Sequence, residues 1–294
     1  MSKELETLIS YPRAELKNEK LIFESPEGFD EALKEGVFYI RIPEDFNYGA
    51  ANKFATSYYL PKNGVDDEYK GFKDVEFKES ILGYSSPNDQ VELLQLEAKL
   101  WHKYLPDGIT SMLNQMNNIS KIILKEVCDM IGVKSKDLDK ITGGIDQDNA
   151  LQYCIFNHYR STKDAIGFTA HKDSGFITTL YSIEPGLEAF KNGQWYPIDP
   201  IPGYFTINLG HSFEILSAKM SKPIHAVYHR VRKTENISKN MPDRFSIGSY
   251  IGPRFDMDLY QYQQDGKLEF YQSFMDFQIA KAKEMNYEFH PNVK

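Results

Sequence analysis

The sequence predicts a mainly β fold with flanking helices. From about residue 146 onward, short stretches rich in Tyr, Phe, Ile, Thr and Val alternate with Gly, Pro, Asp and Asn turns, a spacing typical of an all-β sandwich or barrel. Helical patterns precede this region and another follows it, an order that disfavours a parallel α/β fold. We therefore expect an N-terminal helical and mixed module over 1–145, a β core over 146–254 and a C-terminal helical cover over 255–294.

Composition and charge narrow the function classes. Apolar residues make up 41% and charged residues 26% of the 294 positions, which suits a soluble globular protein with a sizeable core. The 34 Lys and Arg against 42 Asp and Glu give a net charge of −8, which argues against a nucleic-acid partner. We expect the partner to be a small molecule and the protein to be a monomer.

The cysteines and the N-terminus indicate the compartment. Two cysteines, Cys128 and Cys154, cannot build a disulfide framework. The segment Met1–Ile9 lacks the apolar stretch of a secretory signal, and no apolar run approaches the ~20 residues of a membrane span. The sequence therefore predicts a cytoplasmic protein with no membrane partner.

The N-terminal third contains one clear helix and one clear strand. The stretch Phe29–Gly36 predicts a short helix ended by its glycine, and Val37–Ile40 follows as a buried strand. Residues 61–90 are rich in Gly, Asp, Lys and Pro, so we expect a long loop there. Loops of that length are usually functional or disordered, which makes this one a candidate lid.

Two further helices are expected before the β core. The first covers Val91–Leu105 and is stopped by Pro106. The second covers Ile109–Ile131 and is closed by Gly132. Apolar residues of the second helix recur at steps of three and four, which predicts one buried stripe: Ile109, Met112, Leu113, Met116, Ile119, Ile123, Val127 and Met130.

The β core is expected to contain at least six strands, and a helix is expected after it. The strand candidates are Leu151–Tyr159, Phe176–Ser182, Trp195–Ile198, Tyr204–Leu209, Ile224–Val231 and Phe245–Ile251. A modest amphipathic face predicts the C-terminal helix through Tyr271, Phe274, Phe277, Gln278 and Ala282.

A His-x-Asp motif within the core suggests part of a metal site. In a strand, residues i and i+2 share a face, so His171 and Asp173 project together while Lys172 points away. Two histidines and one carboxylate form the facial triad of non-haem Fe(II) oxygenases. A third ligand would have to come from another strand. On its own, the motif equally fits a surface pair beside a turn.

Two later histidines are candidates for that third ligand. His225 and His229 are four residues apart, so both share a face if the strand is unbroken. Either could complete the triad. Either could also be a core histidine whose hydrogen bonds are satisfied.

An Arg-x-Ser motif suggests an anion site. Arg244 and Ser246 share a strand face, and the planar guanidinium can hold a carboxylate through two hydrogen bonds. A charge that points into a β core needs an anion partner. Asn157 and Tyr159 share a face in the same way and could add donors. The alternative is an ordinary salt bridge between Arg244 and an Asp or Glu.

Taken in order, these motifs resemble the isopenicillin N synthase-like family of Fe(II)/2-oxoglutarate-dependent oxygenases. The stretch His171–Leu180 (HKDSGFITTL) is similar to the family block HxDxGxxTxL, and His229–Val231 matches its HRV. Further similar segments are Gly193-Gln194-Trp195, the PGYFTINLG stretch over 202–210, the Asn157-x-Tyr159 pair, and the first helix with 36–40.

The resemblance implies a double-stranded β-helix, or jelly roll, with iron inside one end. It makes His171, Asp173 and His229 the metal ligands and catalytic residues, and leaves His225 either to support those ligands or to packing. It implies that 2-oxoglutarate chelates the iron, with its far carboxylate held by four side chains, while O2 takes the remaining position. Those four side chains are Arg244, Ser246, Tyr159 and Asn157.

The implied reaction is oxidation of an unactivated C–H bond by a dioxygenase, with release of succinate and CO2. Hydroxylation, desaturation and oxidative ring closure share these ligands, so the motifs do not separate them. Asp173 disfavours halogenation, because the halogenases of this fold lack the carboxylate ligand. Two rival readings remain: an Fe(II) oxidase of the same fold that does not consume 2-oxoglutarate, and a non-catalytic jelly-roll module that binds a ligand.

The substrate pocket is less defined by the sequence. Arg160, Arg254 and His211 are polar candidates near the core strands, and Tyr153 is an aromatic one, as are Tyr181 and Phe190. His211 stands where the family usually has Asp after N-x-G, and Arg160 where proline often follows N-x-Y. The extra arginines suggest a small acidic or amino-acid-derived metabolite, as in biosynthesis or secondary metabolism. Each of these residues could equally be structural.

Overall fold

The computed structural model describes residues 10–64, 67–235 and 243–285 of the chain. The signal-sequence prediction for 1–9 therefore lies outside the described residues. The helices of the described ranges are α1 (Gly28–Glu35), α2 (Gly49–Ala55), α3 (Trp101–Tyr104), α4 (Asp107–Ile131), α5 (Leu138–Thr142), α6 (His211–Ser217) and α7 (Phe274–Glu284), with 3-10 turns at Phe72–Asp74, Ala98–Leu100 and Ser135–Asp137. None of these helices is long and apolar enough to span a bilayer.

The strands of the same ranges fall into two sheets and one hairpin. They are β1 (Arg13–Lys17), β2 (Lys20–Phe23), β3 (Val37–Arg41), β4 (Gly83–Ser85), β5 (Val91–Glu97), β6 (Leu151–Tyr159), β7 (Phe168–His171), β8 (Ile177–Tyr181), β9 (Leu187–Lys191), β10 (Gln194–Pro197), β11 (Tyr204–Leu209), β12 (His229–Val231), β13 (Arg244–Gly252), β14 (Asp258–Tyr262) and β15 (Leu268–Ser273).

The two sheets build the jelly roll that the sequence predicts. Across the described residues, the large sheet has the order β2-β1-β3-β11-β8-β13-β6-β5-β4, and the smaller sheet has the order β10-β9-β12-β7. Buried apolar residues of both sheets form one cluster, in which Val37 and Leu93 of the large sheet join Leu187 and Val231 of the smaller one. The space between the sheets is therefore the interior of the β core.

Helix α4 covers the outer face of the large sheet, as its apolar stripe predicts. Met116 and Ile123 are fully buried in one cluster with Phe156 of β6 and Ile247 of β13. Each buried side chain of this size contributes ~1.5–3 kcal/mol relative to exposure. The stripe prediction is wrong at its end, because Met130 is 38% exposed. Helix α4 therefore supports the outer face of the large sheet, and the opposite face is available to form a site.

The helix predicted over Val91–Leu105 is wrong for its first half. Val91–Glu97 is a strand, β5, that pairs with β6 over its whole length. Leu93 packs in the interior between the sheets, whereas Leu94 and Leu96 pack toward the helical layer. Pairing with β6 and burial on both faces therefore override the helix propensity of Glu, Leu and Gln. Only Trp101–Tyr104 is α-helical.

Two other elements also differ from the prediction. The expected strand Ile224–Val231 is regular only at His229–Val231. The C-terminal segment forms the hairpin β14–β15 before its helix, so Tyr271 lies in a strand and is 47% exposed rather than on a helix face. The helical cover predicted for 255–294 is thus a hairpin followed by α7, within the residues that are described.

Gly36 ends α1 as predicted, and its conformation explains the irregular backbone at 224–228. Its φ is +70°, and a Cβ at this position would collide with the backbone carbonyl of His225. The amide N–H of His225 in turn donates to the carbonyl of Leu33 at 2.8 Å. Residues 225–227 therefore lie against the end of α1, whereas the carbonyl of Tyr228 already accepts from the N–H of Phe190 in β9 at 2.8 Å.

Candidate metal centre and adjoining cavity

The smaller sheet brings the two predicted histidine ligands together. His171 is the last residue of β7, and His229 is directly opposite it at the start of β12. Asp173 lies in the bend just after β7, with Oδ1 3.5 Å from Nε2 of His171 and 3.8 Å from Nε2 of His229. One ligand atom from each residue lies within 4.8 Å of the others. The three side chains therefore form a compact group able to hold one metal ion.

Backbone carbonyls orient both imidazole rings. Nδ1 of His171 is 2.7 Å from the carbonyl oxygen of Thr169, and Nδ1 of His229 is 3.1 Å from that of Val227. A carbonyl oxygen only accepts, so each Nδ1 carries the proton and each Nε2 presents its lone pair. Metal-ligating histidines are usually fixed in this way. Both rings are thus held in the tautomer that points Nε2 toward Asp173.

The charge states of the group suit a divalent cation. Burial alone would raise the pKa of Asp173, but the adjacent imidazoles of His229 and His171 outweigh it and hold that pKa below its ordinary range. Burial lowers the pKa of His229 to about 4, against the opposing charge of Asp173. At neutral pH the group offers one carboxylate and an unprotonated His229, as metal binding requires. Two imidazole nitrogens and one carboxylate oxygen are the ligand set of the facial triad that binds Fe(II) in non-haem oxygenases.

A second group of predicted residues lies on the paired strands β6 and β13. Arg244 faces Tyr159, and Ser246 faces Asn157, whose Nδ2 donates to the Ser246 hydroxyl at 3.0 Å. Arg244 is 2% exposed and its Nε donates to the carbonyl of Pro185 at 3.1 Å.

Both terminal nitrogens of Arg244 are buried without a hydrogen-bond partner among the described residues. The carboxylate of Glu184 acts on Arg244 electrostatically but makes no salt bridge with it in that part of the chain. Burial raises the pKa of Glu184. Burial of a guanidinium whose terminal N–H groups have no acceptor costs free energy unless an anion binds them. The arrangement therefore fits a bound carboxylate at Arg244.

One cavity of ≈ 1170 Å³ joins the metal-binding group to Arg244. Tyr153 lines it and stacks on Tyr250 with ring centres 4.2 Å apart. Lys172 also lines it, and its ammonium pairs with Glu214 at 2.5 Å. Residues 81–89 of the predicted loop and part of α7 form its walls.

The other polar substrate candidates lie outside the cavity. Arg160 forms an ion pair with Glu92, at 2.9 Å, and Arg254 forms one with Asp256. His211 begins α6 and is close to Glu214 and Lys281 rather than to the cavity interior. The arginines expected at the mouth are thus held by carboxylates of their own, and they cannot support the acidic-substrate hypothesis.

The remaining histidine and aromatic candidates contact other side chains and do not line the cavity. His225 is exposed and 3.9 Å from Glu214, away from the metal-binding group. His158, one residue before Tyr159, faces the other side of the sheet and stacks between Tyr59 and Phe245. Tyr181 lies against Tyr48 near α2, and Phe190 is half exposed beside Trp195.

Sequence reasoning missed two residues at the site. Asp89 accepts hydrogen bonds from the backbone N–H and the hydroxyl of Thr169, at 2.7 and 3.0 Å, and no local pattern marks it. Lys281 lines the cavity from α7. It lies seven residues after Phe274, on the predicted buried face of the helix, so the helical spacing could have identified it.

Comparison with known proteins gives a consistent result. The family model described as the 2OG-Fe(II) oxygenase superfamily matches residues 149–253. Gibberellin 3-beta-dioxygenase 2-3 of Triticum aestivum is 38% identical over 94 residues, 31% of this chain and 23% of that protein. The chain thus spans about a quarter of that relative. 1-aminocyclopropane-1-carboxylate oxidase 1 of Cucumis melo is 24% identical over 85% of this chain and 82% of its own length.

Solved structures share the fold. Full-length Neurospora crassa T7H in complex with alpha-KG has a TM-score of 0.64 at 19% identity, covering 87% of this chain and 90% of that one. The rice dioxygenase for auxin oxidation has a TM-score of 0.67 at 17% identity, covering 97% and 98%. At these identities the likeness concerns the fold, and it agrees with the jelly roll described above.

Proposed function

We propose that this chain, whose residues 149–253 match the model of the 2OG-Fe(II) oxygenase superfamily, is an oxygenase of that class and oxidises a C–H bond of a small molecule. The substrate, 2-oxoglutarate and O2 give the oxidised product, succinate and CO2. When the product is a hydroxyl compound, one oxygen atom of O2 enters succinate and the other enters the product.

One observation carries the proposal. A single cavity connects a His-Asp-His group to a fully buried arginine whose terminal nitrogens lack partners in the described chain. A metal site needs the first, and recognition of a dicarboxylate co-substrate needs the second. A non-catalytic ligand-binding module would need neither arranged in this way.

The residues then take separate roles. His171, Asp173 and His229 would hold the iron, and bound Fe(II) supplies the activation of O2 that C–H oxidation requires. Arg244 would hold the far carboxylate of 2-oxoglutarate through two N–H groups, with Ser246 and Asn157 beside it. The ring of Tyr159, 4.6 Å below the guanidinium carbon, orients that group. Buried lining residues such as Tyr250 and Leu187 would limit the access of water to the metal-binding group.

The three parts of the chain also have roles in this proposal. The core over 146–254 would hold iron and co-substrate, the module over 1–145 would brace the outer face of the large sheet, and 255–294 would cover the mouth. We place the protein in the cytoplasm as a monomer that acts on a biosynthetic metabolite. The net charge of −8 supports a small-molecule rather than a nucleic-acid substrate.

An oxidase that does not consume 2-oxoglutarate is the second candidate, because the melon relative named as an oxidase matches most of this chain. Its reaction would leave 2-oxoglutarate unchanged. Formation of succinate therefore separates the two functions.

The test is reconstitution of the purified protein with Fe(II) and 2-oxoglutarate without oxygen, followed by admission of O2. We expect a weak visible charge-transfer band in the anaerobic sample and succinate after O2 is added. Asp173→Ala and His171→Ala should remove both signals, whereas His225→Ala is the matched histidine control and should keep them. A wild-type sample with neither signal would contradict the proposal, and a band without succinate would favour the oxidase.

A further inference from the structure

Besides Arg244 and Lys172, which pairs with Glu214, the cavity contains one more cationic group that the proposed reaction does not use. Lys281 enters it from α7, and this lysine is half-buried. Its ammonium group has one hydrogen-bond partner among the described residues, Nδ1 of His211 at 3.4 Å, and it makes no salt bridge there. An ammonium carries three donors, so two remain for another group.

His211 cannot neutralise this lysine. An imidazole is either neutral or cationic, so it cannot balance the charge of an ammonium, and its Nδ1 serves here only as the acceptor of the hydrogen bond from Lys281. The carboxylates that face Lys281 are Glu284, Asp173 and Glu214. Glu214 is engaged by Lys172 at 2.5 Å, Glu284 is exposed at the mouth, and Asp173 belongs to the metal-binding group. The cavity thus holds a cationic group with capacity for one more anion.

Lys281 lies at the opposite end of the cavity from Arg244. Gln278, one turn before it, donates to the Ser174 hydroxyl at 2.9 Å, and that hydroxyl contacts the Tyr250 hydroxyl at 2.9 Å. Tyr250 is six residues after Arg244 on β13, a separation of ~20 Å in an extended strand. The two cationic groups are therefore far enough apart to bind two different anions.

The surface beside Lys281 is aromatic and apolar. The stacked pair Tyr153 and Tyr250 lines this end, together with Leu151, Ile155 and Phe255. Aromatic rings bind other rings in offset or edge-to-face contact and contribute ~0.5–1.5 kcal/mol beyond the area they bury. A ligand for this end needs an apolar ring and one negative charge.

We propose that the substrate is an aryl-substituted carboxylate, whose carboxylate binds Lys281 and whose ring lies against Tyr153 and Tyr250. This inference rests on the proposed function, because it places the substrate next to the same metal-binding group. It replaces the acidic-substrate argument from Arg160 and Arg254, which the structure places elsewhere.

The test uses protein loaded anaerobically with Fe(II) and 2-oxoglutarate, and calorimetric titration with matched acids and primary amides. The probes are phenylacetate, 3-phenylpropanoate and 1-naphthylacetate, each paired with its amide. We expect wild-type protein to bind at least one acid tenfold or more tightly than its amide. Lys281→Met should abolish that preference, and Lys281→Arg should retain it.

Lys283→Met is the matched control, because Lys283 is on the same helix but exposed. It should bind the acids as wild type does. If the thermal melt of Lys281→Met shows that this variant folds poorly, Lys281→Gln takes its place. Its amide keeps a hydrogen-bond donor toward His211 but carries no charge. Absence of an acid preference in wild type, or its survival in both uncharged variants, would overturn the inference. The charge-transfer band in the same samples reports separately on the proposed function.

Discussion

Arg244 and Tyr159 are directly opposite each other on the paired strands β13 and β6, with the guanidinium carbon 4.6 Å from the centre of the phenol ring. The ring covers one face of the guanidinium, and the carbonyl of Pro185 binds its Nε. These contacts fix the plane of the group and leave its two buried terminal nitrogens without a hydrogen-bond partner among the described residues. The pairing of β6 with β13 brings an Arg-x-Ser motif and an Asn-x-Tyr motif side by side, although Tyr159 and Arg244 are 85 residues apart in the sequence.

The first prediction concerns this arginine. Arg244→Gln should weaken 2-oxoglutarate binding ~100-fold, because a charge-assisted bidentate contact contributes ~3 kcal/mol. Metal affinity should be unchanged, since Arg244 does not touch the metal-binding group. Calorimetric titrations with 2-oxoglutarate and with Fe(II) measure the two effects independently. Arg41→Gln, which removes an exposed arginine, is the control, and equal losses in both variants would refute the role of Arg244.

The second prediction concerns Asp89, which holds the strand that carries His171. Its carboxylate binds both the amide and the hydroxyl of Thr169, and the carbonyl of Thr169 orients the ring of His171. Loss of such an outer contact typically costs ~10–100-fold in metal affinity. Asp89→Asn should therefore raise the dissociation constant for Fe(II) at least tenfold.

Thr169→Val offers a milder version of the same experiment. It removes only the hydroxyl contact and keeps the backbone bond to Asp89, so the loss of Fe(II) affinity should be smaller than in Asp89→Asn. Thr56→Val is the matched control, because its hydroxyl binds backbone carbonyls within α2, away from the site. If Asp89→Asn binds Fe(II) as tightly as wild type, the proposed positioning role is wrong.

The third prediction concerns stability in acid. His158 is held between two carboxylates, with Nδ1 3.2 Å from Glu92 and Nε2 2.8 Å from Asp243. Burial is the largest single influence and would raise the pKa of both carboxyls, but the contacts with His158 and other neighbours together outweigh it, with the hydroxyl of Tyr84 among these neighbours at Glu92. Arg160 adds to the effect at Glu92 and the Ser161 amide at Asp243, so both pKa values lie below their ordinary range.

A carboxyl whose pKa is lower in the folded chain binds fewer protons there than in the unfolded chain. Its contribution to the free energy of unfolding is therefore present above the unfolded pKa of ~4 and is lost as the pH falls through the lower folded pKa. Urea unfolding at pH 7 and at pH 3.5 should show this loss, and Asp243→Asn should reduce its size. Asp129→Asn, an equal change of charge on exposed α4 surface, should not.

The sequence predicts those elements whose local pattern agrees with their packing. Helix α4, strands β6 and β11, and the glycine end of α1 all match, because one periodicity and one buried face specify each of them. Strand β5 does not, because the sequence VELLQLE has helix-forming residues and becomes a strand only through its partner β6. Strand pairing between distant segments is not readable from a local pattern.

The same limit applies to the site. The ligand candidates were predictable because His-x-Asp and Arg-x-Ser are local motifs with a chemical reason for their spacing. The carboxylate partners of Arg160 and Arg254 could not be read from the sequence, because they are distant along the chain or across a turn. Exchange of Arg254 for Gln should accordingly leave the KM for the substrate unchanged, and steady-state kinetics on an identified substrate will check this.

The last prediction concerns Gly210, which closes the segment PGYFTINLG. Its backbone is extended, with φ of −98°, a conformation that any residue can adopt. A larger residue is therefore excluded only because its side chain would collide with neighbouring atoms. A Cβ at this position would collide with the carbonyl of Gly175 and lie 3.0 Å from the carbonyl oxygen of Asp173. Neither backbone atom can move without shifting the bend that carries Asp173.

Gly210→Ala should therefore lower the free energy of unfolding by ~1–3 kcal/mol, the usual cost of overpacking. It should also weaken Fe(II) binding, because relief of the collision displaces the Asp173 carboxylate from the two histidines. Urea unfolding and Fe(II) titration of the same preparation measure the two effects. Gly64→Ala is the control, since a Cβ there meets no atom within 4 Å. If Gly210→Ala is less stable than wild type but binds Fe(II) equally tightly, the backbone near Asp173 shifts without displacing its carboxylate. That result would contradict this prediction.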